Sequence, residues 1–383
     1  MVVAVLAFAA MTGSALAVEV GGDSNGRSGK AARAASPWAW SVQARTWTRT
    51  SGVLPADLLR RGPRATITRG QFLDALLKLQ SLRPSARRDL LSSTRPAPAL
   101  VDAPADSIQA RAVSHGWITA RAGKFDAGAP ITADDAALSM TGALGLRPAV
   151  STLGARMRTE LPGVRLRYAY AASHALIRTL GLRWNVKDPN DELELGPSDA
   201  LNVAHGSYML HVAGTQVSSW KLDEANRLAS TFDLPDLGPN QLLVLGTAAR
   251  QLGQPYVWAG ETEGSQPEGK GGFDCSGFAI RVVNQSGVPK AQLAPILERT
   301  TYTQSAIPAK ARITMAKLQP GDVMFFGENG PKSTPGQNYH AGVYMGNGWF
   351  IHSSGGNGGV AINTLDGWWG EEFSWARRAL KAP

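Results

Sequence analysis

The features that sort proteins quickly are scarce in this chain. Its 383 residues include a single cysteine, Cys275, so no disulfide can form within one chain. A lone thiol outside the cytoplasm is open to oxidation and cross-linking, so it is either buried and inert or chemically used. No stretch approaches the ~20 apolar residues of a membrane span, and no integral membrane segment is expected in the mature chain. No run of Lys and Arg reaches five residues and no nucleic-acid-binding motif is present, so nucleic acid is not an expected partner. One cysteine with six histidines gives no four-ligand Cys/His zinc pattern, and neither a metal nor a cofactor is expected.

The remaining composition is that of an ordinary globular chain. Hydrophobic residues make up 43% and charged residues 18%, while 42 Gly and 23 Pro are scattered as turn and loop formers. The length implies two or three folded units. The formal charge of +9 favours polyanions such as the acidic polymers of a cell envelope, or is simply a basic soluble surface.

Residues 1–17 read as a signal peptide. Val2–Ala10 is a short apolar run and Ala15-Leu16-Ala17 an A-x-A cleavage site, although no Lys or Arg precedes the run. A secreted, extracellular or wall-associated protein is therefore expected. Residues 18–36 form a polar Gly/Ser/Ala-rich linker. Three similar openings follow, each leading into an apolar-periodic run: Ile67-Thr68-Arg69, Ile131-Thr132-Ala133 and Leu195-Gly196-Pro197. They stand 64 residues apart (67, 131, 195), and equal spacing signals stacked repeats. Thr68 and Thr132 suit N-caps, and Pro197 suits a first helical turn. Residues 37–212 resemble the S-layer homology repeats that bind wall polysaccharides, with the family's Thr-Arg pair present only as Thr68-Arg69. A purely structural three-repeat prism is the other reading of this region. Residues 213–238 are expected as a linker, and Pro239–Leu252 as a helix with Gly253 as its C-terminal cap. His115, His174, His205 and His211 fall in the repeats and are expected as surface or packing residues.

Chemistry concentrates in residues 239–383. Phe273-Asp274-Cys275-Ser276-Gly277 precedes helical spacing at Phe278, Ala279, Val282 and Val283, which makes Asp274 an N-cap and Cys275 the first helical residue. Unpaired N–H groups and the helix dipole there favour the nucleophilic thiolate. His340 lies in a strand, Tyr339–Met345, and His352 in the return strand after Gly346-Asn347-Gly348. Pairing centred on Asn347 puts both histidines on one face as diagonal neighbours; a plain two-residue turn would set them on opposite faces. The relay therefore requires a three-residue turn or a bulge. With that register, Cys275 can attack a carbonyl, His340 can carry the proton, and His352 can orient His340.

Five separate motifs of this region resemble the NlpC-type cysteine peptidases, a bacterial branch of the papain-like fold. They are Gly253-Gln254-Pro255-Tyr256-Val257-Trp258, Phe273-Asp274-Cys275-Ser276-Gly277, Leu318 to Phe326, His340-Ala341-Gly342-Val343-Tyr344 with Ile351-His352, and the closing Ala376-Arg377-Arg378. The resemblance implies an α+β domain with a nucleophile helix on an antiparallel sheet and the catalytic set Cys275, His340 and His352. It also implies Tyr256, Asp274 and Ser276 as substrate-binding residues. The implied substrates are peptidoglycan peptides, cut between D-γ-glutamyl and a diamino acid. A thiol amidase or acyltransferase of the same fold, or an inactive wall-binding protein, are the alternatives. The sequence departs from the family at Ala259-Gly260, where Gly-Gly is usual, and in the loops 261–272 and 327–338.

Overall fold

Apolar periodicity of 3.6 makes the first half helical. A computed structural model describes residues 36–82, 98–187, 189–263 and 271–381. The expected signal peptide, all but Ser36 of the following linker, and the loop residues 264–270 lie outside the described residues. The helices are α1 (Val42–Thr50), α2 (Ala56–Arg60), α3 (Arg69–Leu82), α4 (Ile108–Ser114), α5 (Ala133–Ala143), α6 (Arg147–Glu160), α7 (Tyr168–Thr179) and α8 (Val203–Thr215).

Three short extended segments close on one another just before α3, α5 and α8. The Ile67 N–H donates to the Leu201 carbonyl (2.9 Å), Leu201 to Ile131 (2.8 Å), and Ile131 back to Ile67 (3.1 Å). Two residues further on, the pattern repeats as Arg69 to Ala129, Ala133 to Asp199 and Val203 to Ala65. The result is a three-fold ring around the fully buried side chains of Ile67, Ile131 and Leu201.

This ring corrects the third opening. It lies at Leu201, 70 residues after Ile131, and not at Leu195. Asn202 caps α8 by accepting from the His205 N–H (3.0 Å), as Thr132 caps α5 by accepting from Asp135. Pro197 is in no helix. The decoy segment is a closed turn in which the Asp199 carboxylate accepts from the Gly196 N–H (2.8 Å), so it imitates a helix start without continuing into one. Arg69, of the lone Thr-Arg pair, is wholly buried and points inward, donating to the Phe125 carbonyl (2.7 Å), the Asp135 carboxylate (3.3 Å) and the Thr119 carbonyl. Three of the four repeat-region histidines are packing residues. His174 is bonded to Asp134 (2.7 Å), His205 lies among Trp38 and Trp40, and His211 lies against Trp47; His115 is half-buried.

Residues 213–238, expected as a linker, are also ordered by packing. They contain α9 (Ser219–Thr231), whose Leu222, Ala225, Leu228 and Ala229 form an apolar stripe against α6 and α7. Phe232 is fully buried with its ring 5.3 Å from that of Trp349.

The second half begins with α10 (Pro239–Ala249), then β1 (Glu261–Thr262), β2 (Gly272–Phe273), α11 (Cys275–Asn284) and α12 (Thr301–Gln304). Helix α10 ends at Ala249 with Arg250 as its C-cap, so Gly253 does not cap it. The Gly253 φ of +102° and the lack of a Cβ instead allow a close approach to His174, which a Cβ would meet at 2.9 Å. A five-stranded antiparallel sheet follows: β3 (Val323–Gly327), β4 (Asn338–Gly346), β5 (Trp349–Ser354), β6 (Gly359–Thr364) and β7 (Phe373–Arg377), in the order β6-β5-β4-β3-β7. Helix α13 (Gly367–Glu372) precedes β7.

Period-2 alternation gives the sheet two apolar faces. Val323, Phe325, Ala341, Val343 and Ile351 share a core with α11, while Met324, Phe326, Phe350 and Phe373 form a smaller core closed by Trp369 of α13. The main core runs without a break from Val53 in the repeats to Ala379, and Pro37 to Pro383 form one compact unit. Arg178 of α7 ties the halves together. Its buried guanidinium donates to the carbonyls of Gly253 (3.0 Å), Gln254 (2.9 Å) and Asn357 (3.1 Å). No helix of the described residues is long and apolar enough to cross a membrane.

Candidate active site

Helix α11 presents Cys275 at its first turn. Asp274 caps it, accepting the Gly277 N–H at Oδ1 (2.6 Å), a contact worth about 1 kcal/mol. The apolar stripe of α11 packs onto β4 and β5, which fixes its N-terminus against the sheet. Cys275 is buried, at 7% exposure, with its sulfur 3.4 Å from the Thr301 hydroxyl and against the backbone amide of Ala341, next to His340.

The histidines come from the hairpin. Val343 faces Ile351 and Tyr344 faces Phe350, the register centred on Asn347, while Gly346 faces Trp349 across the turn. Both geometries considered from sequence are therefore combined. The turn is Asn347-Gly348, with φ of 49° and 82°, and a bulge between Tyr344 and Gly346 restores the pairing that puts the histidines on one face. Gly342 lies opposite His352, where a Cβ would crowd the His352 Cβ at 3.2 Å.

His340 Nε2 lies 2.7 Å from His352 Nδ1, and His352 Nε2 lies 2.9 Å from Asn363 Oδ1 on β6. An amide oxygen only accepts, so His352 carries its proton on Nε2. Its Nδ1 then accepts from the Nε2–H of His340. That leaves Nδ1 of His340 unprotonated, the form a general base requires. Trp369 packs over both rings, with centroids 5.2 Å from His340 and 4.9 Å from His352. Sequence reasoning missed Asn363 and Trp369. Neither stands in a motif, and only the β5–β6 pairing and the fold of α13 bring them in.

Burial governs the protonation of these groups. It holds the His340 imidazole well below its ordinary value of 6.5, with the His352 ring a lesser cause, and it lowers His352 to about 4 against the Asn363 hydrogen bond. Burial also raises the Cys275 thiol, followed by the Asp274 charge, while Thr301 and the amides of Ala341 and Ser276 pull the other way. Burial thus works against the thiolate expected from the helix dipole, and against the His340 imidazolium as well. The sulfur's side-chain partner is Thr301, and His340 is bonded to His352 rather than to the thiol; such contacts commonly tighten only when substrate is bound.

Asp274 and Ser276 flank Cys275 in the chain, and Tyr256 pairs with the neighbouring Phe273. Tyr256 is half-buried and bridges Phe273; burial, then the charges of Cys275 and Asp274, raise its hydroxyl above its usual value. Asp274 is already engaged. Arg299 grips it at both oxygens (3.2 and 2.8 Å), and also donates to Ser276 Oγ (2.9 Å) and to Glu261. Arg299, too, was invisible in the sequence, where it stands in a segment with no periodicity. Among the described residues, no group of three or more His, Cys, Asp or Glu side chains is placed to hold a metal ion.

Comparison with known proteins bears on the second half of the chain. Residues 253–378 match the model of the NlpC/P60 family and form an NlpC/P60 domain. The chain is 31% identical over 124 residues to a probable endopeptidase of Mycobacterium tuberculosis, covering 32% of this chain and 26% of that protein. It is 30% identical over 175 residues to a gamma-D-glutamyl-L-lysine dipeptidyl-peptidase of Bacillus cereus, covering 45% and 46%. The chain thus spans under half the length of these relatives. A crystal structure of an NlpC/P60 family protein from Bacillus cereus aligns at 31% identity over 39% of this chain and 42% of that one, with a TM-score of 0.30.

Proposed function

We propose that this protein is an exported cysteine peptidase of the bacterial cell wall, cutting peptidoglycan stem peptides between D-γ-glutamyl and a diamino acid. The observation that carries the reading is the proton-ordered chain His340–His352–Asn363 across β4, β5 and β6, together with a thiol on a helix N-terminus, within an NlpC/P60 domain. The name of the Bacillus cereus relative supports the choice of bond.

In this reading the Cys275 sulfur attacks the γ-glutamyl carbonyl as its proton passes to Nδ1 of His340. The C–N bond then breaks and His340 gives that proton to the leaving amine. Water attacks the acyl-thioester, losing a proton to His340, and the thiol is regenerated. The Cys275 amide N–H donates to the oxyanion, His352 orients His340, and Tyr256, Asp274 and Ser276 line the cleft on the amino side of the cut. The test is digestion of purified peptidoglycan with mass analysis of the products. Fragments ending in free γ-D-glutamate are expected, and must disappear with Cys275→Ser; products cut elsewhere would move the protein to an amidase or transferase of the same fold.

We also propose that the repeats bring the basic chain onto an acidic wall polymer. Inactive full-length protein should pellet with cell walls at low salt and be released as salt rises, because exposed charges are screened. With Arg69 buried, such binding would rest on other cations. Absence of pelleting at low salt leaves the repeats a structural role.

A further inference from the structure

Arg299 stands where a structural ion pair and the reacting sulfur meet. Its guanidinium lies along the Asp274 carboxylate with both oxygens bonded (3.2 and 2.8 Å), and it reaches Ser276 Oγ (2.9 Å) and Glu261 on β1. Asp274 in turn caps α11 at the Gly277 N–H (2.6 Å) and accepts from Ser276 Oγ (3.1 Å). One carboxylate therefore has two effects in conflict. As a cap it fixes the helix that carries Cys275, and as a charge next in sequence to Cys275 it repels the thiolate on which nucleophilic attack depends. Serine or asparagine would cap without a charge, so the carboxylate needs a reason or a remedy.

We propose that Arg299 is a positioning residue that cancels the Asp274 charge, letting the carboxylate cap the nucleophile helix without opposing the Cys275 thiolate. The fork geometry suits this, because a bidentate pair holds the opposite charge at a fixed distance where a flexible lysine would not. The electrostatics agree. The Asp274 charge raises the thiol, while Arg299, despite the cost of burial, is held above its ordinary value by Asp274, Glu261 and the Cys275 charge. Tyr256, whose hydroxyl is raised by burial and then by Cys275 and Asp274, adds no charge of its own at neutral pH. Thr301, whose hydroxyl lies 3.4 Å from the sulfur, is neutral, and burial disfavours the charged form of His340 on β4. The inference rests on the peptidase reading only in naming Cys275 as the nucleophile.

The test reads the thiol itself. The rate of Cys275 alkylation by iodoacetamide is followed against pH in the full chain; the single cysteine makes the signal unambiguous. Arg299→Gln should raise the apparent thiol pKa by about one unit, a roughly tenfold slower reaction at neutral pH. Asp274→Asn, which keeps a competent cap, should speed the reaction, and the double variant Arg299→Gln/Asp274→Asn should return it to near the unmutated rate. A purely structural role predicts that the double variant is no better than Arg299→Gln. That outcome, an unshifted profile for Arg299→Gln, or a slower reaction for Asp274→Asn would overturn the proposal. If Arg299→Gln does not fold, Arg299→Lys takes its place: loss of the bidentate fork should slow the reaction, and an unshifted profile would overturn the proposal. Failure of the peptidase reading would appear separately, as an unmutated chain that alkylates normally but cuts no stem peptide.

Discussion

Cys275 and His340 each occupy an environment that resists charge. The helix dipole offers the thiolate only ~0.3–1 kcal/mol, and burial of the sulfur acts against it. The resting pair is then a thiol with a base rather than a preformed ion pair, and attack depends on proton transfer to His340. Cys275→Ser or Cys275→Ala should lower kcat/KM on a stem peptide at least about 1,000-fold, about 4 kcal/mol of barrier, with folding nearly unchanged. His340→Ala should be as severe, since the pair acts as a unit. His352→Ala and Asn363→Ala should each cost less, because they order the proton without carrying it. Steady-state kinetics check the ranking, and a His352 variant worse than the His340 one would exchange their roles. The pH profile has a definite sign. Burial disfavours the His340 imidazolium, so the base form persists to below pH 6.5 and the acid limb of kcat/KM should lie under that value. A limb above it would contradict the neutral resting state.

Among the elements, the β4–β5 hairpin shows how much of the site could be read from sequence. The alternation of its two strands and the Gly346-Asn347-Gly348 turn already limit the pairing to two registers, and the need for both histidines on one face selects between them. The device that delivers that register, a two-residue turn corrected by a bulge, depends on backbone torsion at Gly346 and Asn347 and is not written in residue type. Asp274 as a cap was legible because its partner, the Gly277 N–H, is local. Arg299 and Asn363 were not, because each meets the site through tertiary packing, 25 or 11 residues from its partner in sequence. The departure at Ala259 also has a physical reading. Its φ is +59°, a left-handed conformation that costs a residue with a Cβ ~1–2 kcal/mol. Ala259→Gly should therefore stabilise the protein by about 1 kcal/mol, read as a higher urea midpoint at unchanged slope. A lower midpoint would mean the methyl group makes contacts that outweigh the strain.

At the scale of the whole molecule, the continuous core and the Arg178 tie make 37–383 one cooperative body, so a single unfolding transition is expected by calorimetry. Its acid sensitivity follows from four buried histidines. Burial lowers His174, His211, His340 and His352 below 6.5 in the fold, and unfolding returns them to it. The unfolded chain thus binds more protons below pH 6.5. The stability these residues contribute is complete above that pH and is lost as pH falls through the folded values, about 4 for His352. The midpoint of thermal unfolding should drop steadily from pH 6.5 towards 4, and His352→Asn, if folded, should flatten that slope.

The ring that joins the repeats is made of main-chain groups alone, Ile67 to Leu201 to Ile131 and back. A peptide N–H and carbonyl are common to nearly all residues, so closure is indifferent to the amino acids flanking each rung. The connecting stretches can differ in length without breaking it, as the steps of 64 and 70 residues show. A prism closed in this way is marked by its hydrogen bonds and not by an even step along the chain, so equal spacing places its third opening six residues early.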